Sequence, residues 1–470
     1  MKKTKMVCTL GPASDSYKGI CTLLRNGMNV ARLNMSHATI ESHQRVLDTV
    51  KKARADLGVP CAIMVDTCGP EIRVGNFEKG KVELKKGNLF TFSTTELLGN
   101  ENIVACVYPQ LLEVVKPNQK IFANNGLLEF KVVKVEGTNI VCRVVVGGAL
   151  SNHKSISIPR VRIDLPFISQ KDEKNIEFAC RNDVELISAS FVNTPADVKE
   201  MRECIKKYGG RCEIISKIES YEGIKNLNKI IELSDGIMVA RGDMGTELPI
   251  EQIPAIQKDM IKRTVANGKR VIVATEMLES MITKRRPTRA EITDVAQAIY
   301  DGTSATMLSG ETAGGAYPFE ACKTMAKTLT ATEKVIDYEG NFLNGLDFKN
   351  SIQNAISYAA CTAAHAVDAK VIVCFTDAGK TAKMVSRFRP NATVLAITHD
   401  EHTYNNLALS WGVVPAMHER LETTEEMCKV ANKLVKKYNL AKTGDKIIIT
   451  SGLPAGVLGN TNSIKISEVE

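Results

Sequence analysis

Two residues on one predicted strand, Lys217 and Glu219, carry the most distinctive chemistry in the sequence. Alternate residues of a strand face the same way, so the ammonium and the carboxylate point in one direction. An arbitrary Lys-x-Glu is usually a surface ion pair, but the end of a barrel strand favours an active site. Asp243, in the string Ala-Arg-Gly-Asp, adds a second carboxylate. Magnesium commonly takes one or two protein carboxylates, so Glu219 and Asp243 form a candidate Mg²⁺ site.

A second group of polar residues follows two earlier predicted strands. Arg32, Asn34 and Ser36 alternate at the end of one, and Asp66 and Thr67 end the next. The Arg32 guanidinium suits a phosphate. The oxygen side chains beside it could bind a second, larger cation, or they could simply bond to one another.

Thr275 closes another predicted strand, where its hydroxyl could relay a proton. Most threonines at the end of a strand cap the helix that follows, and this is the interpretation favoured for Thr275 alone. Other motifs fail. Gly379-Lys380-Thr381 lacks the earlier glycine of a phosphate-binding P-loop because Cys374 occupies that position. The seven histidines show no zinc spacing.

Short apolar segments, alternating with helical patterns, predict the element that positions these residues. Segments rich in Val, Ile, Met or Ala and too short for helices indicate buried parallel strands. The eight segments are 6–10, 30–34, 61–66, 185–190, 213–217, 236–240, 270–275 and 305–309. Helices are predicted between them, for example over 252–267 and 288–300. The alternation predicts a (β/α)8 barrel, whose active site lies at the carboxyl ends of the strands.

The alternation fails once, between the third and fourth predicted strands. Residues 74–162 instead show short alternating segments separated by turn signals, at 81–84, 89–93, 130–135 and 140–146. This pattern predicts a small β domain inserted in a βα loop. Such an insertion overhangs the active face and could act as a lid, and a surface domain without a catalytic role remains equally open.

The barrel pattern ends near residue 335, and a second α/β unit follows. Its first helix is predicted to place one apolar face toward a core. That face consists of Ile352, Ala355, Ile356, Ala359, Ala360 and Ala363. Strands are predicted at 370–375, 393–398, 412–415 and 446–450, which indicates an open sheet.

The composition is that of a soluble globular protein. The chain has 470 residues, 44% hydrophobic and 24% charged, with a net charge of +8, which excludes disordered and collagen-like classes. So mild an excess of charge fits anionic small molecules as well as nucleic acid. Thirteen scattered cysteines without a C-x-x-C pair predict reduced core residues in a reducing compartment. No signal peptide or apolar run of about 18 residues is present, so a cytoplasmic location is expected.

Several long segments together make the chain resemble the pyruvate kinase family. They are residues 4–14 (TKMVCTLGPAS), 29–37 (NVARLNMSH), 66–73 (DTCGPEIR), 214–220 (IISKIES), 235–245 (DGIMVARGDMG), 273–281 (VATEMLESM) and 286–318. The resemblance implies a TIM barrel over 1–67 and 165–335, an inserted β-barrel lid over 68–164 and a C-terminal α/β regulatory domain over 336–470. It also implies transfer of a phosphoryl group from phosphoenolpyruvate to ADP, giving pyruvate and ATP, as in the last step of glycolysis.

The resemblance further implies roles for individual residues. Glu219 and Asp243 would hold Mg²⁺ or Mn²⁺, Lys217 would stabilise the phosphoryl group, and Arg32 would bind it. The backbone of Arg241 and Gly242 would meet the substrate carboxylate, and Thr275 would lie beside the enolate. The remaining implied residues are Asn34, His37, Arg73 and Lys154 on the nucleotide side, and Asn34, Ser36, Asp66 and Thr67 around K⁺, with Glu71 as the acidic residue that accompanies K⁺ dependence.

Members of the family often bind a phosphorylated activator in the C-terminal domain. The segment here that joins a strand to a helix is a plausible anion site at a helix N-terminus, or else an ordinary turn. Its residues are Thr376, Gly379, Lys380 and Thr381, with the glycine-rich loop 451–462 opposite. The resemblance also implies a homotetramer, with no nucleic-acid or membrane partner.

Two alternative functions can be distinguished by the sequence. A barrel lyase or aldolase could use the same Mg²⁺-bound enolate without a nucleotide, but Lys217, Arg73 and the lid favour the kinase. A catalytically inactive sensor or scaffold would require a broken site. The implied catalytic residues are all present, which argues against that third class.

Overall fold

The predicted barrel is present, with all eight strands parallel. The structure, a computed structural model, describes residues 2–124, 126–159, 161, 165–337, 351–421, 423–452 and 461–470. The barrel strands are β1 (Lys5–Thr9), β2 (Val30–Asn34), β3 (Ala62–Asp66), β13 (Leu186–Ala189), β14 (Glu213–Ile218), β15 (Gly236–Ala240), β16 (Arg270–Ala274) and β17 (Ala305–Leu308). They pair in the closed order β1-β17-β16-β15-β14-β13-β3-β2. Almost every strand residue is buried, as expected for a sheet that is covered on both faces.

Helices surround the barrel between these strands. They are α1 (Tyr17–Arg25), α2 (Ile40–Leu57), α4 (Gln170–Arg181), α5 (Pro195–Lys207), α6 (Tyr221–Lys225), α7 (Leu227–Leu233), α8 (Arg241–Glu247), α9 (Ile253–Ala266), α10 (Arg289–Tyr300), α11 (Gly310–Ala313) and α12 (Pro318–Glu333). The capping box predicted before α10 is present. The Thr288 side chain accepts from the Glu291 N–H, and the Glu291 side chain accepts from the Thr288 N–H. Thus α10 begins where the sequence predicted.

The inserted segment after β3 forms its own β unit. Its strands are β4 (Ile72–Arg73), β5 (Lys81–Leu84), β6 (Leu89–Ser93), β7 (Ile103–Ala105), β8 (Lys120–Ala123), β9 (Leu128–Glu136), β10 (Asn139–Val146), β11 (Gly148–Ser151) and β12 (Ser155–Ser157), with the short helix α3 (Leu111–Val114). Seven of them make one sheet, and β5 pairs with β11 separately. The rings of Phe90, Phe92 and Phe130 pack together at the centre of its core.

The C-terminal unit is an open sheet with helices. Its strands are β18 (Val371–Phe375), β19 (Thr393–Thr398), β20 (Val413–Met417), β21 (Lys446–Gly452) and β22 (Thr461–Glu468), and its helices are α13 (Ile352–Ala366), α14 (Lys380–Ser386), α15 (Glu401–Asn406) and α16 (Thr424–Lys437). The four predicted strands are present and parallel. The fifth, β22, runs antiparallel at the edge beside β21 and was not predicted. Its sequence, TNSIKISE, lacks the apolar run that marks a buried strand.

The apolar face predicted for α13 is wrong. The side of the helix that packs on the sheet contains Gln353, Ser357, Ala360, Cys361 and Ala364. Ile352, the first residue of the predicted face, is 72% exposed. Small side chains let the helix approach its neighbours closely, so size rather than hydropathy decided which face was buried.

The C-terminal unit closes the amino-terminal end of the barrel. Leu409, in the turn before β20, belongs to the apolar cluster inside the barrel, together with residues such as Val7 and Met238. The Lys5 side chain donates to the Val413 carbonyl at 2.6 Å. The barrel is therefore filled at the amino-terminal ends of its strands, and its open rim lies at their carboxyl ends.

All thirteen cysteines are free, and nine of them are buried, as the scattered spacing predicted. Within the described ranges, no helix has both the length and the apolar character needed to cross a membrane.

Candidate active site

The carboxyl ends of neighbouring barrel strands bring most of the predicted chemical residues to one rim. Strands β2, β3, β13, β14, β15 and β16 are consecutive around the barrel. At or just beyond their ends lie Arg32, Asn34, Asp66, Thr67, Lys217, Glu219, Arg241, Gly242, Asp243 and Thr275. Parallel strands end on the same side, so residues distant in sequence converge there.

Lys217 lies at the centre of this rim and is held by three oxygen groups. Its Nζ is 2.8 Å from Ser190 Oγ, 3.1 Å from Glu219 Oε1 and 3.5 Å from Asp66 Oδ1. Burial alone would lower the pKa of Lys217, but Asp66 and Glu219 more than compensate and raise it. The side chain is therefore a fixed ammonium ion at neutral pH.

Glu219 is buried, and its two oxygens have different surroundings. Its Oε2 accepts a 2.5 Å hydrogen bond from the Phe191 backbone N–H, whereas Oε1 has no hydrogen bond among the described residues and is paired only with the Lys217 ammonium ion. Burial raises the pKa of Glu219 to about 8, and Asp243 adds to the rise while Lys217 opposes it. Lys217 already lies beside Oε1, but the Asp243 charge still opposes the ionisation of Glu219, so a further cation between the two carboxyl groups would offset that repulsion.

This environment fits a divalent cation. Asp243 stands in the first turn of α8, directly after β15, and is close enough to disfavour the charged form of Glu219. Among the residues that the structure describes, no group of three His, Cys, Asp or Glu side chains could hold a metal. An ion held by two carboxylates would leave most of its octahedron to water and substrate, as is usual for Mg²⁺.

Arg32 is oriented by the strands on either side of it. Its Nε donates to Asp66 Oδ2 at 2.5 Å, its Nη2 pairs with the same oxygen, and its Nη1 donates to Thr9 Oγ1 at 2.8 Å. A guanidinium carries five N–H donors, so two remain for an anion. The structure therefore presents Arg32 as a rigid cation near Lys217.

The oxygen side chains assigned to a second cation are adjacent, but several already have partners. Asn34 and Asp66 are register neighbours on β2 and β3, and Asn34 Oδ1 accepts from the Ser36 N–H at 3.1 Å. Thr67 Oγ1 accepts from the Ser190 N–H at 3.1 Å. These two bonds come from backbone N–H groups and not from another side chain of the set, so they do not decide between a cation site and mutual bonding.

Thr275 does not cap the helical turn that follows it, so the interpretation favoured from its sequence position is wrong. Its Oγ1 instead accepts from the Gly242 N–H at 2.8 Å, in the first turn of α8, and lies 2.6 Å from the Ala274 carbonyl. Its φ is +68°, in the left-handed region that branched side chains rarely adopt. This unusual backbone turns the hydroxyl toward α8, beside Asp243.

The Arg241 side chain has a structural role. It donates to Asp294 Oδ1 at 2.7 Å and to the Thr275 carbonyl at 2.6 Å. These bonds join the start of α8 to α10 and to the end of β16. Only the backbone of Arg241 and Gly242 is therefore available to a substrate at this point.

Basic residues converge on the side of the rim nearest β2. Arg73, on the lid strand β4, donates to the His153 carbonyl at 2.9 Å and pairs with Glu71. Burial lowers the pKa of His37, as do the nearby positive charges of Arg73, Arg32 and Lys154. His37, Arg73 and Lys154 are all exposed, so this side can receive a polyanion from solvent.

The lid overhangs the rim from the other side. A cavity of about 240 Å³ lies between the two units, lined by residues that include Glu71, Phe122, Ile156, Phe191 and Asp243. Gly126 of the lid is close to α8, because an added Cβ there would lie 3.2 Å from Thr246 Cγ2. The lid therefore contacts the helix that carries Asp243.

The candidate anion segment of the C-terminal unit lies apart from this rim. Gly379 precedes α14, Lys380 is exposed, and Thr381 is buried with its hydroxyl 2.6 Å from that of Thr461. Thr376 is half-buried, and its N–H donates to the Ile397 carbonyl. Residues 453–460 of the opposing loop, like Asn125 in the lid, lie outside the described residues.

Three contributors to the site were missed in the sequence. Ser190 directly follows β13 and bonds Lys217, so the rule that found the other strand ends could have found it. Phe191 acts through its backbone N–H at a φ of +54°, which no residue type reveals. Asp172 bonds the backbone after β3 from a helix far along the chain. Such a contact becomes visible only once the chain is folded.

Comparison with known proteins gives one consistent family. A family model for the pyruvate kinase barrel domain matches residues 1–322, and one for the pyruvate kinase alpha/beta domain matches residues 354–467. Pyruvate kinase from Clostridium perfringens is 43% identical over 475 residues, covering 100% of both chains. That from Geobacillus stearothermophilus is 43% identical over 469 residues, covering 99% of this chain and 80% of the relative.

A solved structure agrees with these relatives. A crystal structure of a pyruvate kinase from Cryptosporidium parvum superposes with a TM-score of 0.94 at 36% identity. The match covers 100% of this chain and 96% of the other. Likeness therefore extends over both the barrel and the C-terminal unit.

Proposed function

The chain belongs to the pyruvate kinase family, and on that premise we propose that it transfers a phosphoryl group from phosphoenolpyruvate to ADP. The products are pyruvate and ATP, in the last step of glycolysis, with Mg²⁺ or Mn²⁺ and K⁺ bound. One observation supports this reaction above all: Lys217 is held at the rim by an ion pair with the buried Glu219, beside the second carboxyl group of Asp243.

Charge neutralisation is what this arrangement supplies. Two polyanions must meet, and two unit charges about 4 Å apart repel by roughly 4 kcal/mol near a protein surface. Arg32 and Lys217 would bind the phosphoryl group between the two substrates. Phosphoryl transfer depends mainly on positioning and electrostatic stabilisation, so no nucleophilic side chain is required.

Glu219 and Asp243 would hold the divalent cation. When bound, Mg²⁺ would neutralise charge on the substrate oxygens and orient them. The fit rests on the repulsion between the Glu219 and Asp243 carboxyl groups, which a cation between them would offset. We also propose the following domain boundaries: the barrel over 1–67 and 165–335, the lid over 68–164 and the C-terminal domain over 336–470.

Thr275 and Gly242 would act on the enolate end of the substrate. The Gly242 N–H, which donates to Thr275 Oγ1 at 2.8 Å, would donate to the substrate carboxylate instead when substrate is bound. The Thr275 hydroxyl would then be free to pass a proton toward the enolate carbon. The backbone of Arg241 would assist in holding the carboxylate.

The remaining roles follow the same premise. His37, Arg73, Lys154 and Asn34 would bind the nucleotide, and the lid would exclude water that competes for the phosphoryl group. Asn34, Ser36, Asp66 and Thr67 would bind K⁺, with Glu71 nearby. We further propose a cytoplasmic homotetramer. A phosphorylated activator would bind at Thr376, Gly379, Lys380 and Thr381.

A coupled assay for pyruvate tests the proposed reaction against a lyase or aldolase. The kinase forms pyruvate from phosphoenolpyruvate only when ADP is present. Equal rates with and without ADP would reject the kinase. The activator is identified by screening phosphorylated metabolites at sub-saturating phosphoenolpyruvate.

Lys217→Met is expected to lose nearly all phosphoryl transfer while still binding Mn²⁺ and phosphoenolpyruvate. The variant removes the ammonium ion but keeps the length and apolar stem of the side chain. The measurement is kcat, with Mn²⁺ binding followed separately. Lys225→Met, an exposed lysine on α6, is the control and should keep normal turnover. Near-normal kcat in Lys217→Met would refute the assigned role.

A further inference from the structure

Asp172 is a buried carboxylate that joins the two crossings between barrel and lid. It is 1% exposed and stands in the first turn of α4, directly after the chain returns from the lid. Its Oδ1 accepts from the Cys68 N–H at 2.7 Å, and its Oδ2 accepts from the Gly69 N–H at 3.0 Å. Cys68 and Gly69 lie where the chain leaves β3 for the lid. One side chain therefore ties the outgoing strand to the returning helix.

The carboxylate has further donors, and none of them is charged. Asn175 Nδ2 donates to Oδ1 at 3.3 Å, and Ser169 Oγ donates to Oδ2 at 3.2 Å. Each oxygen thus receives one backbone and one side-chain donor. An asparagine in either orientation would turn its own NH₂ toward two of these donors.

The segment that Asp172 holds is in contact with the catalytic rim. Thr67 precedes Cys68, and its carbonyl accepts from Ser190 Oγ at 2.7 Å, while its Oγ1 accepts from the Ser190 N–H. Ser190 Oγ in turn lies 2.8 Å from Lys217 Nζ and 3.3 Å from Asp66 Oδ1. Two hydrogen-bonded steps therefore separate the 67–69 backbone from the ammonium ion.

Close packing against the end of β13 restricts the movement of this segment. A Cβ added to Gly69 would lie 2.7 Å from Ser190 Cβ, so the backbone is pressed against the end of β13. The backbone of residues 67–69 therefore lies between the end of β13 on one side and Asp172 on the other. Without Asp172, it would keep the contact with Ser190 and lose its hydrogen bonds on the opposite side.

We infer that Asp172 is a positioning residue for the reaction. It holds residues 67–69 against Ser190, and so fixes Lys217 and the oxygen groups of Asp66 and Thr67. It touches no reacting atom. This role rests on the proposed function, because Lys217 is the group whose position is fixed.

The first test compares Asp172→Asn with the unmodified chain. The variant keeps the side-chain shape but loses two acceptor contacts. A displacement of about 1 Å in a catalytic group can cost about 100-fold in rate, so we expect kcat to fall at least tenfold. KM for phosphoenolpyruvate should change little, and the K⁺ concentration for half-maximal rate should rise. Equal kcat in the two proteins would overturn the inference.

Ser169→Ala is the matched control for a purely structural role. Ser169 caps α4 by accepting from the Asp172 N–H at 3.0 Å, and its loss removes that cap and one side-chain donor to Oδ2 but keeps the backbone donors Cys68 and Gly69. It should lower the unfolding temperature and keep kcat. If Ser169→Ala lost kcat as far as Asp172→Asn does, the bonds from Asp172 to Cys68 and Gly69 would not be what positions the rim, and the inference would fail.

Hydrogen exchange provides a readout that needs neither activity nor a variant. In the unmodified chain, the Cys68 and Gly69 amides should exchange as slowly as those of α4. Exchange as fast as in exposed lid turns would contradict the inference, even if Asp172→Asn failed to fold. Absence of ADP-dependent pyruvate formation in the unmodified chain would reject the proposed function instead. The two failures are thus distinguishable.

Discussion

Individual residues at the rim adopt backbone conformations that side chains normally avoid. Phe191, Thr275 and Glu276 all have positive φ. In two of these cases the result is a directed polar group: the Phe191 N–H meets Glu219, and the Thr275 hydroxyl meets Gly242. Strain of this kind persists only where the surroundings enforce it, and it clusters at functional sites.

The strain at Thr275 can be separated from the role of its hydroxyl. Thr275→Ala and Thr275→Gly both remove Oγ1, but only glycine adopts a φ of +68° without penalty. The glycine variant should therefore be more stable than the alanine variant by about 1 kcal/mol. Both should lose proton transfer to the enolate.

Denaturant unfolding of the two variants measures the difference in stability. Exchange of pyruvate methyl hydrogens with solvent measures the proton transfer. Alanine and glycine variants of equal stability would show that the positive φ carries no cost. Retained exchange in either variant would contradict the role of the hydroxyl.

At the scale of elements, the link between β3 and the lid depends on a glycine. Gly69→Ala combines a φ of +76° with a Cβ 2.7 Å from Ser190 Cβ. We expect it to lower the free energy of unfolding by more than about 1 kcal/mol and to displace Ser190. Because Ser190 bonds Lys217, kcat should fall as well.

Gly58 is the matched control for Gly69. It follows α2 with a φ of +62°, and an added Cβ there would meet nothing within 4 Å. Gly58→Ala should carry the backbone penalty alone and keep normal kcat. Equal loss of kcat in both variants would show that the close approach to Ser190 is unimportant.

Barrel elements were predictable because their signal is local and strong. Val30–Asn34 and Gly236–Ala240 were predicted to the residue, since a buried parallel strand is apolar throughout. Strand-end polar residues such as Lys217 followed from that framework. What could not be predicted depends on packing or on backbone direction. The buried face of α13 was set by small residues such as Ala364, and the roles of Phe191 and Asp172 depend on folded geometry.

A partly buried charge cluster joins the base of the barrel to the C-terminal unit. Glu213, the first residue of β14, pairs with Arg270 of β16 and with Lys383 of α14. The opposite end of β14 carries Lys217. Burial alone would raise the pKa of Glu213, but Arg270 and Lys383 lower it to about 2 from 4.5.

This shift predicts a pH dependence of stability. A carboxyl group whose pKa is lower in the folded chain stabilises the fold above its unfolded pKa, and that contribution disappears as the pH falls toward the folded value. Glu213→Gln should therefore lower Tm at pH 7, by about 1–2 °C for each kcal/mol lost in a chain of this size. Below about pH 4.5, its Tm should fall less steeply than that of the unmodified chain.

Thermal unfolding between about pH 7 and pH 3 measures this difference. Glu425→Gln removes an exposed pair with Lys429 on α16, which is worth little, and should leave the curve unchanged. Parallel curves for Glu213→Gln and the unmodified chain would contradict the predicted linkage.

Leu409 at the floor of the barrel has a consequence for biosynthesis. The last barrel strand, β17, ends at Leu308, while the side chain that seals the interior arrives later in the chain. At about 5–20 residues per second, a ribosome needs several seconds or more to supply it. During that interval the nascent barrel has an unsealed apolar opening, so its completion must wait for the C-terminal unit to emerge.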